Sequence, residues 1–395
     1  MRLDRQRDWD VVVVGLGAIG SAAAHWAAAR PGKRVLGLEQ FELDHANGSS
    51  RDHSRIIRLS YHRPDYVRLA KRAYACWAEV EAATGHRIVT RTGGLDIFPP
   101  GGVTDEAEYS GSLKAEGVPF ERLDAAETMR RWPQWRLPDD SAVLFQAESG
   151  IADPMRGNPA HRELAAANGA TLLDRTPVTA IRDTGGEYEV TAADGATYRA
   201  GRVVLAADAW TNHLLASLGT RLPLTITREQ VTYFACPDPA AFAPERFPIW
   251  IWMDEPAYYG FPTYGEAGPK AAQDVGGKAI DIEHRTFDVD VEAHARVVAF
   301  LERHLPGAVG PDIVTKTCIY TLTPDRDFIV DRLTDHPGVV LAVGAGHGYK
   351  FASVLGRILV ELAIDGETAS SGEIEAFRVD RPILLEEHPA ASFRI

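Results

Sequence analysis

Apolar and polar positions alternate along this chain in patterns that change character from the ends to the middle. Val11–Val14 is an unbroken valine run ending at a glycine, which suits a strand buried on both faces. The alanine-rich stretch from Ala18 to Arg30 predicts a helix, stopped by Pro31-Gly32. Arg34–Glu39 (RVLGLE) predicts a second apolar strand that closes on an acid. Right-handed crossover makes the two strands parallel, so the N-terminus is one βαβ unit. Between Pro64 and Thr84, Tyr66, Leu69, Ala70, Tyr74, Trp77 and Val80 recur at helical spacing and predict a long amphipathic helix. The middle is less regular, with Pro99-Pro100-Gly101-Gly102 and further prolines at Pro133, Pro138 and Pro154. Glu187–Arg199 reads as a hairpin turning at Gly195, followed by a separate apolar strand over Arg202–Ala207. Ile249–Met253 and Tyr258–Pro262 read as aromatic strands of a second sheet. Val339–Val343 predicts a strand, then comes GAGHGYKF, then an amphipathic helix from about Ala352 to Ile364.

Length and composition narrow the class. The chain has 395 residues, enough for about two domains. Its three cysteines, Cys76, Cys236 and Cys318, are too few and too scattered for a disulfide framework or a structural zinc site. They fit a reducing cytoplasm. A net charge of −13 argues against a nucleic-acid footprint. Val11 to Ala29 is nearly free of charge, but its glycines, Ser21 and His25 argue against a membrane span, and the mixed-charge leader MRLDRQRDWD is unlike a secretory signal. The expectation is a soluble cytoplasmic protein with no membrane partner.

Gly15-Leu16-Gly17-Ala18-Ile19-Gly20 is a G-x-G-x-x-G between predicted strand and helix. The first glycine permits the tight turn, the second admits a pyrophosphate to the backbone, and the third lets helix pack on strand. Glu39 ends the second strand 19 residues beyond Gly20, where an acid accepts hydrogen bonds from a ribose. Strand, helix, second strand and acid together predict dinucleotide binding, without separating FAD from NAD(P). Further on, GSSRDHSRIIR (Gly48 to Arg58) concentrates three arginines and a histidine. Arg55 and Arg58 are three apart and would share a face on a helical turn. A guanidinium fork suits two-point contact with a carboxylate, although arginines alone also read as a solvated turn.

GSSRDHSRIIR, then YYGFPTYGEAGPK, then CIYTLTPDRDFIVD, then GAGHGYKFASVLG occur in the order seen in monomeric sarcosine oxidase and N-methyltryptophan oxidase. The chain resembles that family over nearly its whole length. The resemblance implies an α/β fold: a Rossmann-like FAD-binding domain and a catalytic domain on a mixed, mainly antiparallel sheet. The implied division is a discontinuous FAD-binding domain over residues 1–85, 150–218 and 325–395, with the substrate domain over 86–149 and 219–324. It also implies oxidation of secondary amino acids, with oxygen regenerating the flavin and hydrogen peroxide released, by a monomer.

Residue by residue, the resemblance places Cys318 where the family makes a thioether to FAD. A thiolate can attack an electrophilic flavin methyl, and Lys316 would favour the thiolate if it points inward. Lys270 matches the lysine that activates oxygen, where a fixed cation stabilises developing superoxide. Arg58 and Lys350 match the pair that holds the substrate carboxylate, and Arg55 matches the arginine near the flavin ring. Tyr259 and Tyr320 match tyrosines around the substrate, and His347 matches the histidine of the Gly-His-Gly block. Implied contacts to FAD are Gly15, Gly17, Ala18, Ile19, Gly20, Glu39, Gln40, Ser49, Ser50, Arg55, Val178, Ala206, Trp210, Cys318, Gly344, Gly346, His347, Gly348 and Lys350.

Three positions depart from the family pattern. Asp274 stands where the sarcosine-type pocket carries a histidine, and a carboxylate there would attract a cation or a hydroxyl cluster. Ser50-Arg51 replaces paired histidines, and Asp208 replaces a glycine in Ala207-Asp208-Ala209-Trp210. The reading expected is an FAD-dependent oxidase of the C–N bond of an N-substituted α-amino acid. The alternatives are a fructosyl amino acid oxidase of the same fold, an amine dehydrogenase using another acceptor, and a non-catalytic flavin-binding protein.

Overall fold

The computed structural model describes residues 8–387, 389–390 and 392; residues 1–7 of the mixed-charge leader, and residues 388, 391 and 393–395 of the expected FAD-binding segment, lie outside that range. The valine run becomes the strand Asp8–Val14 at the centre of an eight-stranded sheet. Thr171–Leu173, Val35–Leu38, Asp8–Val14, Thr197–Leu205 and Val339–Val343 lie side by side in that order and parallel. Such strands are covered on both faces, which is why their side chains are apolar throughout. Ile329–Arg332 joins antiparallel at one edge, and the hairpin of Val178–Asp183 with Tyr188–Ala192 joins Thr197–Leu205.

One sequence expectation changes here. The second arm of the hairpin and the following apolar strand are a single strand, Thr197–Leu205. Its first half pairs with Tyr188–Ala192 and its second half with Val339–Val343. The polar residues around Gly201-Arg202 fall where the partner changes, so they interrupt the apolar pattern without interrupting the strand.

Helices cover the sheet. Ala18–Ala28 packs against Ala352–Ile364 and Pro154–Ala167, and its alanines are fully buried, so backbones approach closely. Pro64–Thr84 matches the periodicity, with Gly85 in the left-handed conformation ending it. The helices Glu106–Ala115, Ala125–Arg131, Pro154–Ala167 and Val291–His304 were not among the sequence expectations, although Val291–His304 has a clear apolar face (Val297, Phe300, Leu301) and a capping Asp290. Pro154 looks like a breaker, yet it occupies the first turn, where no backbone N–H is needed. Asp153 caps that turn by accepting from the Met155 amide at 2.9 Å.

The second sheet has nine strands and is antiparallel except where Ile249–Trp252 runs parallel to Gly94–Phe98. The aromatic strands Ile249–Trp252 and Tyr258–Phe261 are adjacent, as their composition suggests. Trp250, Trp252 and Tyr258 pack on Phe300 of Val291–His304. Strand alternation turns Ile251, Tyr259 and Phe261 to the opposite face, toward the first sheet. A three-stranded sheet of Arg55–Ile57, Gly150–Ala152 and Val89–Arg91 completes the framework. Arg55 and Arg58 therefore do not share a helical face: Arg55 opens a short strand and Arg58 lies just past its end.

Candidate active site

Two cavities meet at the C-terminal end of the parallel strands. One, of about 370 Å³, is lined by Gly15, Glu39, Gln40, Val178 and Trp210, and the other, of about 840 Å³, by Lys270, Asp274, Cys318, Tyr320 and Lys350. Both are bounded by Gly17, Ser49, Ser50 and Ala206, so they form one elongated cleft.

The narrow end is built by the glycine turn. Gly15 has φ +89°, and a Cβ there would sit 2.4 Å from the Ala206 carbonyl oxygen. A side chain on Gly20 would run into the Gly15 carbonyl, so Gly20 packs helix on strand and does not line the cleft. The Glu39 carboxylate accepts from the Leu16 amide at 2.8 Å and from the Phe41 amide at 3.1 Å, which ties the turn to the second strand. Burial alone would raise the Glu39 pKa; bonds from His45, Leu16 and Phe41 outweigh it and hold the group ionised. Ser50 accepts from the Ala18 amide at 3.0 Å, so the serine that replaces a family histidine anchors the first turn of the helix. Arg51 turns outward to the Asp44 carbonyl. Asp208 has φ +48°, the left-handed region that glycine adopts most easily, and its carboxylate accepts from the Ser49 hydroxyl. The substitution thus keeps the backbone conformation and adds a half-buried acid where the cavities join.

The wide end is floored by the second sheet, and period-two alternation explains its lining. Lys316, Cys318 and Tyr320 are alternate residues of Asp312–Leu322; Lys270 opens the strand Lys270–Gln273, and Asp274 follows four residues later on the same side. Ala18, Ile19, Arg55, Arg58, Tyr259, Gly344, Gly346, His347 and Gly348 also face this cavity. The Tyr320 ring lies against Gly346, whose φ is +82° and where a Cβ would come within 2.6 Å of the ring.

Arg58 is 1% exposed and donates through Nη1 to Asp96 at 2.9 Å, while its Nε and Nη2 are buried without a hydrogen-bond partner among the described residues. Among the described residues Lys350 donates to the His347 carbonyl alone, at 3.0 Å, and burial beside Arg58 brings its pKa down to about 7. Trp77 fixes this loop by donating to the Lys350 carbonyl at 2.8 Å. His347 donates from Nε2 to the Arg326 carbonyl at 2.9 Å and is held neutral by burial, then by Lys350 and Arg326. Its Nδ1 has no hydrogen-bond partner among the described residues. Asp274 is approached by the buried Arg326 at 3.3 Å, so this carboxylate already has a cation beside it.

Lys270 is 2% exposed and donates to Asp52 at 2.9 Å and to the Ser54 carbonyl at 2.8 Å. Burial lowers its pKa and Asp52 opposes the fall, leaving it at about 8. The Cys318 thiol is pushed up to about 11 by burial, with Arg55 the main opposing cation. Lys316 lines the cavity but engages Asp52 and Glu266, so the thiol's principal cationic neighbour is Arg55. Sequence reasoning missed Asp52, Asp96 and Arg326. Asp52 and Arg326 sit inside the blocks GSSRDHSRIIR and CIYTLTPDRDFIVD without having been singled out, and Asp96 is a lone acid inside the apolar strand Gly94–Phe98.

The cleft suits a dinucleotide. A glycine cradle without room for side chains lies at one end, and a wide pocket with unpartnered Arg58 nitrogens lies at the other. Among the described residues no group of three or more acids, histidines or cysteines is placed to hold a metal, and no helix is long and apolar enough to cross a membrane.

Comparison with known proteins agrees. Monomeric sarcosine oxidase of Streptomyces avermitilis is 38% identical over 375 residues, covering 91% of this chain and 95% of the relative. N-methyl-L-tryptophan oxidase of Yersinia pestis is 32% identical over 383 residues, covering 95% and 99%. The solved structure of NikD, an unusual amino acid oxidase essential for nikkomycin biosynthesis, superimposes with a TM-score of 0.83 at 29% identity, over 97% of this chain and 100% of that one. The model of the FAD dependent oxidoreductase family matches residues 10–362, and with these relatives it shows that the chain belongs to that family, alongside the sarcosine and N-methyltryptophan oxidases.

Proposed function

We propose that the protein is an FAD-dependent oxidase acting on the C–N bond of an N-substituted α-amino acid, such as an N-methyl amino acid. The observation that carries this reading is Arg58: a fully buried guanidinium with two unpartnered nitrogens, in one cavity with Lys350, Lys270 and Cys318. Buried donors without acceptors are costly, and a substrate carboxylate is the acceptor that this pair of cations fits. FAD, when bound in the cleft, supplies the two-electron acceptor and passes the electrons to oxygen, giving hydrogen peroxide.

The chain's own residues bind and orient. Arg58 and Lys350 hold the carboxylate, which leaves the amine end free to react. Tyr259 and Tyr320 wall the cavity. Neutral His347 offers Nδ1 as an acceptor and adds no charge against the amine. Asp274 lines the same cavity, and with Arg326 already beside it the carboxylate favours a substrate side chain that carries hydroxyls. Arg55 and Lys270 supply positive charge beside the flavin end, where reduced oxygen species develop. Cys318 carries FAD as a thioether, with Arg55 favouring the thiolate. The segments that build the parallel sheet, 1–85, 150–218 and 325–395, bind FAD, and 86–149 with 219–324 form the substrate side. The protein works as a monomer in the cytoplasm.

A panel of N-methyl and fructosyl amino acids assayed for peroxide release on native protein tests the reading, and a separate portion of the same preparation is acid-precipitated to follow its flavin. Colour remaining with the precipitated chain supports the Cys318 link. Absence of peroxide with every member of the panel sinks the oxidase assignment.

A further inference from the structure

Asp52 stands out from every direction in which the site is viewed. Its φ is +137°, a region that residues with a Cβ rarely adopt, so the backbone is strained at this point. It is 6% exposed. Its two oxygens gather four donors: Oδ2 takes Lys270 at 2.9 Å with Arg55 at 3.6 Å, and Oδ1 takes the Tyr233 hydroxyl at 2.8 Å with Lys316 at 3.2 Å. A strained backbone that delivers one carboxylate into the middle of three cations is the arrangement expected where charge placement matters.

The surroundings of Lys270 show what that carboxylate does. Asp52, Ser54 and Arg55 face it from the segment before the strand Arg55–Ile57. Tyr233 and Phe261 face it from the second sheet, their rings 5.5 and 4.2 Å from Nζ. Cys318 and Lys316 come from Asp312–Leu322, where Lys316 is also bound to Glu266 at 2.7 Å. Among these groups Asp52 is the one carboxylate bonded to Lys270. Arg55 and Lys316 repel a proton on the amine. The π faces of Phe261 and Tyr233 favour it only weakly by comparison.

We propose that Asp52 is the positioning counter-ion of Lys270, fixing the ammonium in the cavity wall and supplying the charge that keeps its proton there, and so setting the pH range over which the enzyme reacts with oxygen. The inference rests on the assignment of Lys270 to the oxygen reaction. Asp52 gives up some of the field of Lys270 by pairing with it. In exchange the lysine stays a cation in a dry site that otherwise favours the neutral amine.

The test uses holoenzyme labelled with ¹⁵N-lysine. The Nζ resonance of Lys270 is assigned by its loss in Lys270→Met and is titrated in wild type and in Asp52→Asn. The expected result is a titration midpoint lowered by at least one pH unit in Asp52→Asn. In parallel, the reoxidation rate of substrate-reduced enzyme in air-saturated buffer should lose its alkaline limb over the same lower interval and recover on acidification. Asp52→Gly guards against a variant that fails to fold, because glycine adopts φ +137° without strain while lacking the carboxylate. It should reproduce the shift. An unchanged Nζ midpoint in either variant overturns the proposal, even where reoxidation slows. If Lys270→Met leaves reoxidation intact, the oxygen assignment of Lys270 falls while the Nζ titration still decides whether Asp52 holds its proton.

Discussion

Asp96 was not a candidate from its sequence context, yet the structure makes it the counter-charge of Arg58. The perturbation that probes it is Asp96→Asn, which keeps shape and a hydrogen-bond acceptor but removes the charge. Arg58 is 1% exposed and its other two guanidinium nitrogens have no hydrogen-bond partner among the described residues, so none of these compensates the loss. The ring of Tyr61, 4.8 Å from the guanidinium carbon, offers only a cation–π contact. Breaking a buried ion pair on one side costs about 3–5 kcal/mol, and the retained acceptor puts this variant near the lower end. Unfolding entropy of about 2.1 cal/mol/K per residue, over 395 residues, makes 3 kcal/mol equivalent to a fall in Tm of about 4 °C. The uncompensated guanidinium should then seek another anion. Thermal unfolding of both proteins with saturating acetate, and with acetamide as the neutral control, separates this from a simple packing loss. Acetate should raise the Tm of Asp96→Asn by more than it raises wild type, and acetamide should raise neither. A variant that unfolds at the wild-type temperature, or equal protection of both proteins by acetate, would refute the reasoning.

Two other predictions follow from the same cavity. Lys350 is brought down to about 7 by burial beside Arg58, so at pH 8 it is mostly neutral in the free enzyme. A bound carboxylate restores its proton, and calorimetry at pH 8 in buffers of differing ionisation enthalpy should register uptake of close to one proton, with carboxylate affinity weakening as pH rises above about 7. No uptake would mean that Lys350 is already charged or does not meet the ligand. Gly346→Ala places a Cβ within 2.6 Å of the Tyr320 ring at φ +82°, and should lower stability by about 2 kcal/mol or more. Tyr320→Ala in the same chain should recover part of that loss, as read by thermal unfolding.

Much of the framework was readable because its patterns are local. The valine run, the alanine helix and Glu39 needed only neighbours in sequence, and Pro64–Thr84 kept its apolar face over its whole length. The residues that line the cavity were named by the family resemblance and by no local pattern; the structure places Lys316, Cys318 and Tyr320 at alternate positions of Asp312–Leu322. What failed were the partners. Asp52 meets Lys270 across 218 positions, and Arg58 meets Asp96 across 38, through strands whose registers no local pattern reveals. The continuity of Thr197–Leu205 was missed because a strand that changes partners halfway carries polar residues at the change. The helix beginning at Pro154 was missed because proline in a first turn looks like proline in a breaker until its cap is known.

These partners alter the electrostatic picture that the composition suggests. A chain of net charge −13 gathers Arg55, Arg58, Lys270, Arg326 and Lys350 around one cavity, which would be a strongly basic pocket if each cation stood alone. Four of them do not: Arg55 and Lys270 share Asp52, Arg58 holds Asp96, and Arg326 holds Asp274. Lys350, among the described residues, has its backbone-carbonyl bond and no paired carboxylate. Burying that many unpaired charges would cost more than folding supplies, so the acids are what make the cluster affordable. Five cations against three acids leave two positive charges: one at the flavin end, where Arg55 and Lys270 share the single carboxylate of Asp52, and one at Lys350 whenever it holds its proton. A substrate carboxylate closes the second imbalance, and the first stays beside the flavin end. The acids thus shape selectivity as well as stability, since they decide where in the cavity an anionic group is still lacking.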